Sequence, residues 1–437
     1  MKVAFVNQPW NEADPPVESG SVAIWIYHVA RQLARSCDVA VYARRSRMGK
    51  RTEWCDGVCY RYVSTSLDRR VLRMLHLASG LYGPARPYFA GRLYYLGYIV
   101  KVALDLRRAG CDIVHIQNLS QFIPIIRALN PTIGIVLHMH CEWLTQLDPR
   151  VIRRRLKKAD RVIGCSEYIT QRIRCRFPDV ADRCRTIYNG VDVNRRGAKN
   201  SRKDSALRHV LFVGRISPEK GLHVLLEAFQ KIVAGYPDVQ LDIVGPNSAP
   251  PTEFIFKLSG DPKVSDLISF CGRDYLGHLK QQMPEHLARQ IRFFGSVPYS
   301  ALADCYAAAD VYVQPSLIEA FPMPIPEAMA AGVPVVATRV GGVSEAVQDG
   351  VTGRLVEAGD VESLAEAILD LLCDDDVRTS MRTSARARAV ELFSWEKIAR
   401  NLLDLYSRMS DMHGRVPSES PRASVLSQDL QPSGCQV

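Results

Sequence analysis

Val313-Gln-Pro-Ser-Leu-Ile-Glu-Ala-Phe-Pro-Met-Pro-Ile-Pro-Glu-Ala-Met-Ala-Ala-Gly-Val-Pro-Val-Val336 reads as a strand, a tight loop, a short helix and a second strand. The first strand ends near Gln314. The helix is expected to open at Pro326, where the missing N–H costs nothing, and to close at Gly332. The loop therefore lies at the carboxyl end of a parallel strand, where open α/β sheets bind ligands. Its backbone amides and the helix start favour an anion. Pro322, Pro324 and Pro326 carry no N–H, which leaves Ala320, Phe321, Met323 and Ile325 as amide donors. Glu319 and Glu327 bracket the loop. Facing an anion they would repel it, so they read as acceptors for ligand hydroxyls.

Upstream, Val210-Leu-Phe-Val213 is strand-like and runs into Gly-Arg-Ile-Ser-Pro-Glu-Lys-Gly221 and then a helix. Gly214 permits close backbone approach. Arg215 and Lys220 place two cations over the same sheet edge, one able to grip oxygens bidentately and one a point charge. Two fixed cations suit a diphosphate leaving group that no metal neutralises.

The rest of the chain has the same rhythm. Strand-like runs at Val3–Val6, Asp38–Ala43, Ile113–Ile116, Ile133–Leu137 and Arg161–Cys165 alternate with helical segments such as Val22–Ala34 and Pro149–Ala159. After residue 208 the alternation begins again, with strands at Gln240–Val244, Ile291–Phe294, Val311–Gln314 and Val333–Ala337. Apolar strands between helices imply parallel sheets covered on both faces. The fold class is α/β, with two doubly wound Rossmann-like domains facing a cleft. The expected divisions are 1–193, a polar linker 194–207, 208–392, a returning helix 393–409 and a disordered tail 410–437. The stretch 246–290 is long for one connection and is expected to carry a helix near Leu276–Gln282.

A chain of 437 residues exceeds one ordinary core. No apolar run approaches the roughly 20 residues of a membrane span, and the N-terminus does not read as a signal peptide. Twelve cysteines without a C-x-x-C pair suit free thiols in a reducing cytosol better than disulfides or zinc. The expected location is cytoplasmic, with peripheral contact at the inner membrane face. No carboxylate or His/Cys cluster has metal spacing, and Asp374-Asp-Asp376 reads as a solvated turn after a helix. No metal and no cofactor are expected.

Together the two loops resemble family 4 of the retaining glycosyltransferases, of GT-B fold, across nearly the whole chain to about residue 408. The strongest element is the pair of glutamates separated by seven residues, Glu319 and Glu327. The resemblance implies that Glu319 contacts the transferred sugar, Glu327 the ribose, and Arg215 and Lys220 the diphosphate of a nucleotide-sugar donor. Gly341-Gly-Val-Ser-Glu345, Asp349-Gly-Val-Thr-Gly-Arg-Leu-Val356 and Asn189-Gly-Val-Asp192 fit the same family in the same order. Gly20, within Ser19-Gly-Ser21, is either a donor-facing turn or a structural one. The family carries a histidine near the reacting sugar. Here His138 and His140 both follow a strand, and His140 is favoured. The resemblance implies transfer with retention at the anomeric carbon.

Residues 1–208 hold 36 Lys and Arg against 17 Asp and Glu, whereas the remainder holds 20 against 29. The first half therefore attracts anions. Within it, 69–108 mixes Arg69, Arg70, Tyr88 and Tyr94 with apolar residues, and Arg150–Lys158 adds six cations in nine residues. This composition suits a glycan or lipid-linked acceptor and an anionic membrane surface, or equally a helix pair packed on the domain. Two other functions compete: an epimerase or phosphorylase of the same fold, and a nucleic-acid-binding protein. No nucleic-acid partner is expected, because no recognisable module accompanies the basic half.

Overall fold

The computed structural model describes residues 1–45, 49–77, 80, 82–195, 197, 207–248, 255, 258, 264, 266–270 and 274–412. Eight strands form the first sheet: β1 Lys2–Val6, β2 Asp38–Arg44, β3 Thr52–Cys55, β4 Val58–Val63, β5 Ile113–Gln117, β6 Gly134–Met139, β7 Arg161–Gly164 and β8 Cys184–Thr186. Their order is β3-β4-β2-β1-β5-β6-β7-β8, parallel except where β3 runs against β4. Six strands form the second: β9 Arg208–Val213, β10 Val239–Val244, β11 Ile291–Gly295, β12 Val311–Gln314, β13 Val335–Thr338 and β14 Gly353–Val356, in the parallel order β11-β10-β9-β12-β13-β14. The inner strands are buried along nearly their whole length, as helices on both faces demand. The molecule is α/β with two Rossmann-like sheets.

Connectivity reverses beside β1 in the first sheet and beside β9 in the second. The loops after β1, β5 and β6 therefore gather at one crevice, and those after β9 and β12 at the other. The chain returns through the helix Trp395–Met412, which packs on Ser21–Leu33 of the first half. There Tyr406 lies buried with its hydroxyl against His115 Nδ1 of β5. The helix begins two residues later and ends three later than the expected 393–409.

Several boundaries differ from the sequence reading. The helix after the Glu319 loop spans Pro324–Ala330, so it opens one proline earlier than expected. Pro324 has the same preset φ and the same absence of an N–H as Pro326, so both fit the first turn. Gly332, at φ 72°, closes it as expected. Asp374 is exposed between two helices, and its carboxylate also accepts the Val377 N–H at 2.9 Å, so it caps the helix Asp375–Phe393. The helix Tyr275–Gln282 lies where expected. Most of the linker 194–207 and the tail from 413 fall outside the described residues.

Candidate active site

The 3-10 turn Pro218–Lys220 after β9 and the loop after β12 meet at the second crevice. Gly221 makes this possible. It sits at φ 71°, and a Cβ there would run into the Pro315 carbonyl. Lys220 Nζ forms an ion pair with Glu319, which also accepts from Ser316 Oγ at 3.2 Å. Arg215 Nη2 reaches Glu219 Oε1 at 3.0 Å, and Ser217 Oγ donates to the same oxygen at 2.7 Å. Each cation thus has its own carboxylate. Behind the loop, Gly341 at φ 50° lies directly against the Glu319 carbonyl, where any side chain would collide. The Phe321 ring is anchored in the core on Tyr188 and Phe393, at 5.4 and 5.5 Å between centroids.

The facing wall comes from the first sheet. His140, just past β6, donates its backbone N–H to Asn118 Oδ1 at 2.7 Å. Asn118 holds a left-handed backbone, φ 59°, to reach it. His140 Nε2 lies 2.8 Å from Gln117 Oε1, a contact that needs the ring proton on Nε2. Burial pushes the imidazole pKa down to about 4, so the ring is neutral at physiological pH. Trp25 packs edge-on against it at 5.7 Å. His138 lies against the same ring, 4.2 Å between centroids, but is wholly buried behind it, its pKa depressed by the same desolvation.

The walls are joined directly. Glu345 of the second half accepts the backbone N–H groups of Glu167 and Tyr168, at 2.6 and 2.7 Å, and so caps the helix Glu167–Arg176 of the first half. Ser166 Oγ donates to the Ala320 carbonyl at 2.8 Å, and Asn189 Nδ2 to that of Phe321 at 3.3 Å. Between the walls lies a cavity of about 370 Å³. Ser21, His140, Trp143, Gly214, Arg215, Lys220, Glu319, Ala320, Phe321 and Met323 are among its lining residues.

Residues 22–195 match the model described as glycosyltransferase family 4, and residues 195–388 match glycosyl transferases group 1. The chain belongs to this glycosyltransferase family. Spore coat protein SA of Bacillus subtilis (strain 168) is 26% identical over 414 residues, covering 90% of this chain and 96% of that protein. The fold is that of a sucrose-phosphate synthase from Thermosynechococcus elongatus, with TM-score 0.71 and 22% identity over 94% of this chain and all of that one. It is shared with Anabaena HepE, solved in complex with UDP and glucose, with TM-score 0.65 and 21% identity over 93% and 100%. These structures have the two-domain GT-B architecture, and so does this glycosyltransferase.

Not every expected residue reaches the cleft of this glycosyltransferase. Glu327 does not line it. Its side chain is turned into the protein, where Oε2 accepts from the Tyr306 hydroxyl at 2.8 Å, and burial raises its pKa to about 7. Gly20 caps the helix Ser21–Leu33 at φ 81°, and its neighbour Ser21 lines the cleft instead. Tyr94 is a core residue, 4.9 Å from Tyr95 between ring centroids. Tyr88 is half-buried beside it, whereas Arg69 and Arg70 are exposed on the helix Ser66–Leu77. None of these four lines the cavity. Among the described residues no cluster of His, Cys, Asp and Glu could hold a metal ion, and no helix is long and apolar enough to cross a membrane.

Four contributors went unread in the sequence. Glu219 carries the only local signal, four residues after Arg215. Gln117, Asn118 and Glu345 act through contacts between residues distant in sequence.

Proposed function

We propose that this glycosyltransferase moves a hexose-type sugar from a nucleoside diphosphate, UDP in first preference, to a glycan or lipid-linked acceptor with retention at the anomeric carbon. The observation that carries the reading is the convergence of Lys220, Arg215 and Glu319 on one wall with His140 on the other. Each cation is paired with a carboxylate. Donor binding would exchange these pairs. The diphosphate takes Lys220 and Arg215, and sugar hydroxyls satisfy Glu319. Arg215 has further N–H donors, so it can take a phosphate oxygen without releasing the buried Glu219, and little charge is left buried and alone. Charge that develops on the leaving diphosphate is then met by groups already in place, without a metal.

The bond from the anomeric carbon to the diphosphate breaks, and the acceptor oxygen bonds that carbon on the same face. Its proton passes to a departing phosphate oxygen. His140, neutral and protonated on Nε2, lines the cavity where the sugar would lie. Glu327 could approach a ribose only by releasing Tyr306, so the reading gives it a secondary role. The HepE complex with UDP and glucose supports the donor class. Thermal-shift screening with UDP, GDP and ADP tests the donor, and the product anomer tests retention. An inverted anomer would sink the mechanism.

A further inference from the structure

The structure carries a second surface that the reaction does not use. The helix Ser66–Leu77 exposes Leu67, Val71 and Met74 at successive turns, with Leu77 at its end. Met74 is 72% exposed and Leu77 83%. Tyr82 and Leu93 are exposed nearby, so six of the exposed large apolar side chains among the described residues fall between 67 and 93. Tyr88 ties Tyr82 to this helix, its ring contacting both Tyr82 and His76. Scattered apolar residues on a surface need no explanation, but a gathered set does.

The charges on this face all have one sign. Arg69, Arg70 and Arg73 are exposed beside the apolar stripe, and Arg92 is exposed next to Leu93. The helix has one acid, Asp68, and it is buried, accepting the Gly97 N–H at 2.7 Å. The adjoining segment is pinned to the start of the basic helix Pro149–Leu156, where Asp148 donates its N–H to the Ala85 carbonyl and pairs with Arg86. Phe89, beside Tyr88, packs at a tilt on Trp143, 5.1 Å between centroids, and Trp143 lines the cleft.

We propose that the outer face of Ser66–Leu77, with Tyr82 and Leu93, docks this glycosyltransferase on an anionic lipid bilayer. Its apolar stripe would enter the headgroup boundary, with the arginines on lipid phosphates. A second copy of the chain fits poorly, since a two-fold contact would set these arginines against one another. Such docking would bring a lipid-linked acceptor to the Trp143 rim, and in that it builds on the acceptor half of the proposed function. Donor binding does not depend on it.

The test is flotation of the full chain with vesicles of phosphatidylcholine alone or mixed with phosphatidylglycerol. The wild type should float only with the anionic vesicles, and less so at high salt. The triple variant Arg69→Gln, Arg70→Gln, Arg73→Gln should bind about a hundredfold more weakly. Leu67→Ser with Met74→Ser should also lose binding although every charge remains. Absence of binding, equal binding to both vesicles, or variants that float like the wild type would overturn the proposal. So would light scattering that shows a dimer dissolved by the apolar variant. Melting shifts with UDP should be the same in all variants, which separates failure of the docking face from failure of the donor reading.

Discussion

On the donor wall Arg215 and Lys220 each stand beside a carboxylate, at Glu219 and Glu319, whereas His140 on the opposite wall is held by the neutral amides Gln117 and Asn118. Charge on the first wall is stored in pairs that a ligand can exchange. Polarity on the second is fixed by burial and carries no net charge at physiological pH. In the proposed reaction a diphosphate would take the first wall, because it replaces one anionic partner with another. The reacting sugar would lie against the second, where a neutral imidazole adds no charge to compete with the leaving group.

The largest expected effect comes from unbalancing the donor wall. Lys220→Ala leaves Glu319 without its cation and removes a phosphate contact, so kcat/KM should fall on the order of a hundred- to a thousandfold while the melting profile of the free protein stays cooperative. Unchanged turnover would contradict the role given to Lys220. On the other wall, Gln117→Leu frees the His140 ring to change tautomer. Activity should drop about tenfold to a hundredfold, mainly in kcat, and Gln117→Glu should recover part of it. A change confined to KM would point to simple packing.

Smaller effects sharpen the comparison at its seam and behind it. Glu345→Ala takes the partner from the first two N–H groups of the helix Glu167–Arg176, whose N-cap Ser166 remains, and loosens one wall from the other, at about 1 kcal/mol by the usual worth of such hydrogen bonds. Hydrogen exchange at Glu167 and Tyr168 should quicken, and donor KM should rise. Glu327 has a folded-state pKa raised to about 7 from 4.5, so the folded chain keeps a proton that the unfolded chain loses. Stability therefore declines as pH rises from about 4.5 to about 7. Glu327→Gln removes that decline. Its melting temperature relative to wild type should be higher at pH 8 than at pH 4.5, and an equal difference at both pH values would show that the buried carboxyl is not the cause.

Much of the donor wall could be read from sequence, because its parts are local. The loop between β12 and β13 has prolines and glycines at fixed offsets, and Lys220 follows Arg215 within one turn. The opposing wall was less legible. Alternation along β6 puts His138 and His140 on one face, where their rings lie 4.2 Å apart, so spacing alone does not say which of them reaches the cleft. The strand ends at Met139, and Asn118, from the neighbouring loop, captures the N–H of His140 at the rim. No local pattern announces such a contact. Glu327 misled for the same reason: its spacing from Glu319 is a matter of sequence, but its side-chain direction is set by Tyr306, from the helix Leu302–Ala307. The acceptor residues Tyr88 and Tyr94 looked like surface aromatics, yet they pack among Trp10, Tyr95 and Phe89. The apolar residues actually exposed are those of the preceding helix.

The most direct test of the donor site is the melting temperature of the wild type and of Lys220→Ala with and without saturating UDP. A ligand bound only by the folded chain stabilises it by RT ln(1 + [L]/Kd), so the wild type should gain several degrees and the variant little or nothing. If UDP, GDP and ADP all leave the wild type unmoved, or if UDP stabilises both proteins equally, the cleft between Lys220 and His140 is not the nucleotide-sugar site.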